Sequence, residues 1–243
     1  MSEAPDVMAP EPDPWSYEAY KADLQPHLDR LRSIHNTRSG GVWILGNGPS
    51  LVEAAPVVNR SSLPKIGVNK ALGLVWPLDF AVICHTEHLD QEVPGFLSLQ
   101  ETQERWVNLA HTGDLFLHGT SHLDRGTAIP ISHESLFSRD LTVGASEGLP
   151  STGGSVMLVA MQLAYWLGFR EFFLAGFELA GEKFYENGPF SQSALDAQLR
   201  LFPKVAPLLR EFGVRAYLVG RPKNARNETW PWIPLEEAAR AHQ

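Results

Sequence analysis

Two stretches of the chain place glycines and hydroxyls directly ahead of a helical pattern. Gly46-Asn47-Gly48-Pro49-Ser50 follows the apolar run VWIL, and Ser151-Thr152-Gly153-Gly154-Ser155 precedes VMLVAMQLAYWLGF. Glycine lets a backbone approach a ligand closely. A helix start directs free N–H groups and a positive dipole end outward, which suits a phosphate. Each stretch also reads as a plain connection, the first a strand–turn–helix link with Ser50 as cap behind Pro49, the second a simple N-cap. Two such starts in one α/β domain point to a diphosphate or a nucleotide monophosphate between them. The first is neither GxGxxG nor a Walker loop.

Other residues able to do chemistry stand where apolar runs end. Asn69 closes KIGVN and can hydrogen-bond a base or ribose, or cap a turn. Glu178 closes EFFLAGFE, where a carboxylate can bind ribose hydroxyls, a metal or an acceptor hydroxyl. Lys183 and Tyr185 follow and can donate to a departing phosphate, or lie as ordinary surface residues. His85, in CHTEH after the run DFAVI, can serve as a general base, because an unperturbed imidazole titrates at about 6.5. His85, Glu87 and His88 also offer metal-ligand chemistry, but their spacing is not HExxH and no metal site is assigned. His118 and His122 are weaker versions of the same idea.

These positions depend on alternating elements. VWILG (42–46) reads as a strand, Ser50 to about Val58 as a short helix, KIGVN (65–69) and DFAVIC (79–84) as strands, and RWVNLA (105–110) and DLFLHG (114–119) as two more. The polar, Gly- and Pro-punctuated stretch 120–150 reads as a long loop or lid. Residues 151–169 form a buried helix ending at Gly168, and EFFLAGFE (171–178) is a strand. Residues 191–212 give a long helix that Pro203 and Pro207 should kink or break. VRAYLVG (214–220) is the last strand and WIPLEEAARA (232–241) a terminal helix. Residues 1–14 read as a flexible arm and 15–38 as one or two short helices. Strands separated by helices predict a doubly wound, mostly parallel Rossmann-like sheet in a three-layer α/β/α domain over 39–243. Ligands then lie beyond the carboxyl ends of the strands, at the switch point of strand order.

The bulk numbers bound the function classes. The chain has 243 residues, 44% of them hydrophobic, with seven Trp and twelve Phe, enough for a sizeable core. A net charge of −8 argues against a broad nucleic-acid surface. Cys84 is the only cysteine, so no internal disulfide and no cysteine zinc site can form, which fits a reducing compartment. The acidic, Pro-rich start lacks the features of a signal peptide, and the longest apolar stretch is too short to span a bilayer. The expectation is a soluble cytoplasmic protein.

GNGPSL, then VNK, then STGGSVMLVAMQLAYWLGFREFFLAGFELAG together resemble a Rossmann-like transferase superfamily. Its branches are the bacterial sialyltransferases that use CMP-linked sugars, the motility accessory factors and the archaeal 6-hydroxymethylpterin diphosphokinase-like domain. GFELAGEKFYENG is similar to the Gly-x-Asp-Leu-Ala segment of the motility-factor branch. The likeness spans roughly 40–240. It implies that Gly46, Asn47, Gly48 and Ser50 surround the nucleotide phosphate and sugar, with Pro49 a further candidate from the loop itself. It also implies that Asn69 lies beside the nucleotide and reacting group, and that Thr152 and Gly153 contact the nucleotide, with Ser151 and Gly154 beside them as further candidates from the helix start. Glu178 takes the place of the usual Asp, and Tyr185 lies one residue from a phosphate-binding Tyr of the sialyltransferases. Ala180 stands where those enzymes have a second Tyr. No His lies between His133 and His242, so their downstream catalytic His has no counterpart, and His85 is the candidate base.

The resemblance implies a nucleotide-dependent transferase. A glycosyltransferase using a CMP-linked nonulosonic sugar ranks first, with no tightly bound cofactor. Diphosphoryl transfer from ATP to a hydroxymethyl group ranks second and requires Mg²⁺ held by carboxylates such as Asp79, Glu87, Asp90 and Glu178. A non-catalytic nucleotide-binding module is third. The expected partners are a nucleotide or nucleotide sugar and a small-molecule, glycan or protein acceptor, with a homo-oligomer left open.

Overall fold

The computed structural model describes residues 32–83, 91–112, 115–118, 129–131, 155–181, 183–185 and 192–240. The chain divides into Met1–Ser33 and Ile34–Gln243, and the fold below is that of the second unit. The arm at 1–14, most of the helical extension at 15–38 and nearly all of the 120–150 segment lie outside the described residues.

Among the described residues eight strands form one sheet: β1 (Gly41–Leu45), β2 (Lys65–Val68), β3 (Phe80–Ile83), β4 (Leu115–His118), β5 (Ile129–Ile131), β6 (Glu171–Ala175), β7 (Arg215–Val219) and β8 (Trp232–Ile233). Their order is β5-β4-β3-β2-β1-β6-β7-β8, and every neighbouring pair is parallel. The chain winds outward from β1 to β5, then crosses back to β6 on the other side of β1. The reversal of order therefore falls between β1 and β6, as a doubly wound sheet requires.

Alternation along the strands fills two cores. Trp43, Leu45, Ala81, Ile83, Phe173, Ala175 and Val219 share one buried cluster with Leu51, Ala54 and Val58 of helix α1 (Ser50–Arg60), Trp106 and Leu109 of α2 (Leu99–Thr112), and Ala238 of α5 (Leu235–Arg240). The residues between them, such as Val42, Ile44, Phe172 and Leu174, are equally buried and face the opposite layer. There α3 (Val156–Leu167) packs over β1, β2 and β3; α4 (Gln192–Glu211) links β6 to its parallel neighbour β7, a crossover whose usual right hand puts it on this same face. Helices thus cover both faces, and the three-layer expectation holds.

Four expectations are corrected. RWVNLA is the middle of helix α2, not a strand. Thr102, Trp106 and Leu109 are its buried positions, at helical spacing. Ser98 and Glu101 close a reciprocal capping box at its start, with Ser98 Oγ and Glu101 Oε2 2.8 Å apart and Glu101 N donating to Ser98 Oγ at 3.3 Å. The second correction is that α4 runs unbroken through Pro203 and Pro207. Both prolines are exposed, one turn apart, while Phe202, Val205, Ala206 and Leu209 hold the buried face. Water can take the carbonyls that the prolines leave unbonded. Finally, the terminal segment begins as strand β8 and turns helical only at Leu235. Residues 34–38 are likewise not helical. They strap the end of α3, with Asn36 N and Arg38 N donating to the carbonyls of Trp166 and Leu167 at 2.9 and 2.8 Å.

Candidate functional site

At the switch point the chain after β1 and the chain after β6 cross in backbone contact. Gly46 N donates to Ala175 O at 2.8 Å and Gly48 N to Gly176 O at 3.0 Å. A Cβ on Gly46 would stand 2.4 Å from Gly176 O, so the crossing needs glycine there. Two residues beyond it lies Glu178, with no solvent exposure. Its carboxylate accepts Ser50 N at 2.6 Å and Ser50 Oγ at 2.7 Å. Ser50 Oγ in turn accepts Gly176 N at 3.2 Å.

This arrangement revises the reading of the GNGPS loop. Pro49, with φ −57° and ψ −29°, holds the N-cap position of α1 without a side-chain cap, and Ser50 is already helical. The capping group comes from across the sheet: Glu178 supplies the oxygens that satisfy the helix start and face its positive dipole end. The Ser50 amide, a donor expected to face a phosphate, is bonded to the chain's own carboxylate. Gly48 leaves the space that this requires, since a Cβ there would come within 2.3 Å of Glu178 Oε2.

Glu178 is held from behind as well. Its carbonyl accepts the amides of Arg226 and Asn227 at 2.9 and 3.1 Å. Asn227, fully buried, donates through Nδ2 to Phe177 O at 2.9 Å. The next residue, Leu179, has φ +53°, an uncommon conformation for a branched side chain. Asn227 is a positioning residue that sequence reading missed, and nothing in its surroundings KNARNETW marks it as buried.

A second ring of contacts surrounds the loop. Phe184 N donates to Asn47 O at 3.0 Å, which ties Lys183–Tyr185 to the turn after β1. Lys70 Nζ and Lys183 Nζ each lie 5.5 Å from the centre of the Tyr185 ring. Lys70 is buried, and its Nζ donates to Glu92 O at 2.5 Å. Asn69, one residue earlier, opens a 3-10 turn (Asn69–Gly73) with φ +48° at the carboxyl end of β2, and it too is buried. The structure therefore gathers Asn47, Asn69, Lys183 and Tyr185 at one sheet edge and adds Lys70, whose only sequence signal is its place beside Asn69. Asp79 accepts Lys65 N at 2.9 Å at the start of β3, so it stands at the opposite edge of the sheet from the loop.

Two buried polar atoms here lack hydrogen-bond partners. Asn47 Oδ1 is one. The other is Ser155 Oγ, at the N-cap of α3, in a residue 2% exposed whose side chain makes no cap bond. Helices that return across a parallel sheet start near the strands' carboxyl ends, so both atoms belong to the same edge. Buried polar atoms are rarely left unpaired, and those that are call for an explanation such as a ligand. The remaining sequence-assigned residues, His85 and Ser151, Thr152, Gly153 and Gly154, lie outside the described residues. Among the described residues no cluster of three His, Cys, Asp or Glu is placed to hold a metal ion, and no helix is long and apolar enough to cross a membrane.

No family model matches the chain and no curated protein matches it. The solved structures similar to it include two sialyltransferases. One is the sialyltransferase CST-II in complex with a trisaccharide acceptor and CMP, at 13% identity and a TM-score of 0.41, covering 73% of this chain and 80% of that one. The other is the sialyltransferase CstII from Campylobacter jejuni in complex with a substrate analogue, cytidine-5'-monophosphate, at 12% identity and a TM-score of 0.45, covering 80% of this chain and 85% of that one. The architecture described above rests on this chain's own sheet order and cores.

Proposed function

We propose that this chain is a nucleotide-dependent glycosyltransferase that takes a CMP-linked nonulosonic sugar as donor. The observation that carries the reading is the pair of orphaned polar atoms, Asn47 Oδ1 and Ser155 Oγ, at the switch-point edge. They are the kind of fixed groups that orient a nucleoside. The motif order GNGPSL, VNK and STGGS supports the same assignment by resemblance.

In the reaction the acceptor oxygen attacks the anomeric carbon of the donor. The bond from that carbon to the CMP phosphate oxygen breaks, and its electron pair leaves with the phosphate. Lys183 and Tyr185, with Lys70 beside them, stabilise the departing anion. His85 takes the acceptor proton. Glu178 has a positioning role in this scheme, because both its oxygens are engaged by Ser50. The same engagement supports ranking diphosphoryl transfer second: of the carboxylates considered for Mg²⁺, Glu178 caps a helix and Asp79 sits at the far edge.

Calorimetric titration with CMP, cytidine and ATP, each with and without Mg²⁺, tests the reading. Metal-independent CMP binding, tighter than cytidine binding, is the expected result. Mg²⁺-dependent ATP binding without CMP binding transfers the assignment to diphosphoryl transfer. No binding of any of them leaves a transferase fold without a donor and refutes the proposal.

A further inference from the structure

Beside the nucleotide loop the chain exposes an aromatic side chain that its own core does not need. Phe96 is 39% exposed, one of few large apolar side chains so open among the described residues. It is not on a loose tip. Its amide donates to Val93 O at 2.9 Å, as does the amide of Leu97, and Val93 N returns a bond to Leu97 O at 3.0 Å. Gly95, at φ +78°, closes this turn. Val93 is fully buried, against Gly73. Lys70 Nζ bonds the carbonyl of Glu92, so the turn is fastened to the segment that carries Asn69.

The ring of Phe96 stands edge-on to that of Phe184, with centroids 5.5 Å apart at 80°. Phe184 stands edge-on to Tyr185 at 5.1 Å and 82°. Phe184 is also the residue whose amide is bonded to Asn47 O. A row of three rings thus runs from the exposed Phe96 to Tyr185 and its two lysines, and it is held by both the β1 and the β2 loops. Rings fixed in this way present apolar area at little cost in side-chain freedom.

We infer that Phe96, backed by Phe184, is the platform on which the acceptor sugar stacks. This inference rests on the glycosyltransferase reading of the adjoining site. A hexose offers a face of C–H groups that packs on an aromatic ring, while its rim of hydroxyls needs polar partners. The site pairs one exposed ring with amide and ammonium groups one loop away, which matches that division. An acceptor held there would approach the donor from the side of Phe184, with its free hydroxyls toward Asn47 and Lys183.

Saturation-transfer NMR tests this with lactose, cellobiose and chitobiose as probes, in the presence of CMP. CMP affinity is measured separately by calorimetry on the same samples. The wild type should pass saturation to the ring C–H protons of at least one probe. Phe96→Ala should reduce that transfer by about fivefold, with Phe96→Trp retaining it, as an aromatic contact of ordinary strength predicts. CMP affinity should be the same in all three proteins. Equal saturation in the wild type and Phe96→Ala overturns the platform, as does the absence of transfer to every probe from a wild type that binds CMP. A wild type that does not bind CMP instead overturns the donor reading on which the platform rests.

Discussion

Glu178 and Ser50, 128 residues apart in sequence, are joined by two short hydrogen bonds in a fully buried position. Charge-assisted bonds of this kind are stronger than neutral ones. A glutamine at 178 turns an acceptor-only group into one that presents donors toward the Ser50 amide. Glu178→Gln should therefore lower unfolding free energy by about 1–3 kcal/mol. Urea unfolding measures the loss. In a double-mutant cycle with Ser50→Ala the two losses should fall short of additive, since both disturb the bond between Ser50 Oγ and Glu178 Oε2.

Asn47 and Gly48 should respond differently although they adjoin. Asn47 Oδ1 has no partner to lose, so Asn47→Ala should leave the unfolding free energy within about 0.5 kcal/mol of wild type. Its nucleotide affinity should fall by about tenfold or more, the loss of one good polar contact. Gly48→Val would drive methyl groups into the Glu178 carboxylate, so it should cost both affinity and stability. Calorimetry paired with thermal unfolding separates the two. Unchanged affinity in Asn47→Ala would return the loop to the status of a turn.

The capping box of α2 gives a pH dependence. The Ser98 amide, then the Ser98 hydroxyl, hold the Glu101 carboxyl below its ordinary value of 4.5. A carboxylate whose folded pKa is depressed stabilises the fold only while ionised. Its contribution is complete above the unfolded value and is lost as pH falls through the lower folded value. Wild type and Glu101→Gln should therefore differ in stability at neutral pH and converge on acidification. Parallel curves at all pH would mean that the cap carries no charge-dependent part.

Helix α4 keeps Pro203 and Pro207 at a cost. Proline is disfavoured in a helix interior by about 3 kcal/mol relative to alanine, partly offset by the unfolded chain's reduced freedom. Both residues are exposed, so no buried contact opposes the change. Pro207→Ala should raise the melting temperature, and differential scanning calorimetry would read the gain. A fall would mean that the prolines' restriction of the unfolded chain outweighs their cost to the helix.

The sequence made some levels of this architecture readable and hid others. β1, β2, β3, β6 and β7 were legible because short apolar runs bounded by Gly, Pro or Asp leave little choice of element. The GNGPS loop was legible because two glycines after a strand have few uses. Helix α2 was misread because RWVNLA is locally strand-like. The signal that outweighs it begins upstream of that window, in Ser98, Glu101 and Thr102, whose helical spacing Trp106 and Leu109 then continue. The pairing of Glu178 with Ser50 has no periodic signature, since it is made by the register of β1 against β6. Lys70 and Asn227 were missed for a similar reason: each is polar, buried and fixed by a tertiary contact that local pattern does not encode.

The crossing of Gly46 and Gly176 also fixes an order of events during synthesis. The first half of the site is translated early, yet it has no partner until β6 has been made. It stays without a complete cap until Glu178 has emerged, and Glu178 is not held from behind until Arg226 and Asn227 follow. Long-range closure of this kind is slow compared with local helix formation. A nascent chain halted before residue 178 would lack the site whatever secondary structure it had formed. Ligand capture by chains of increasing length would therefore mark when the sheet's two halves first meet.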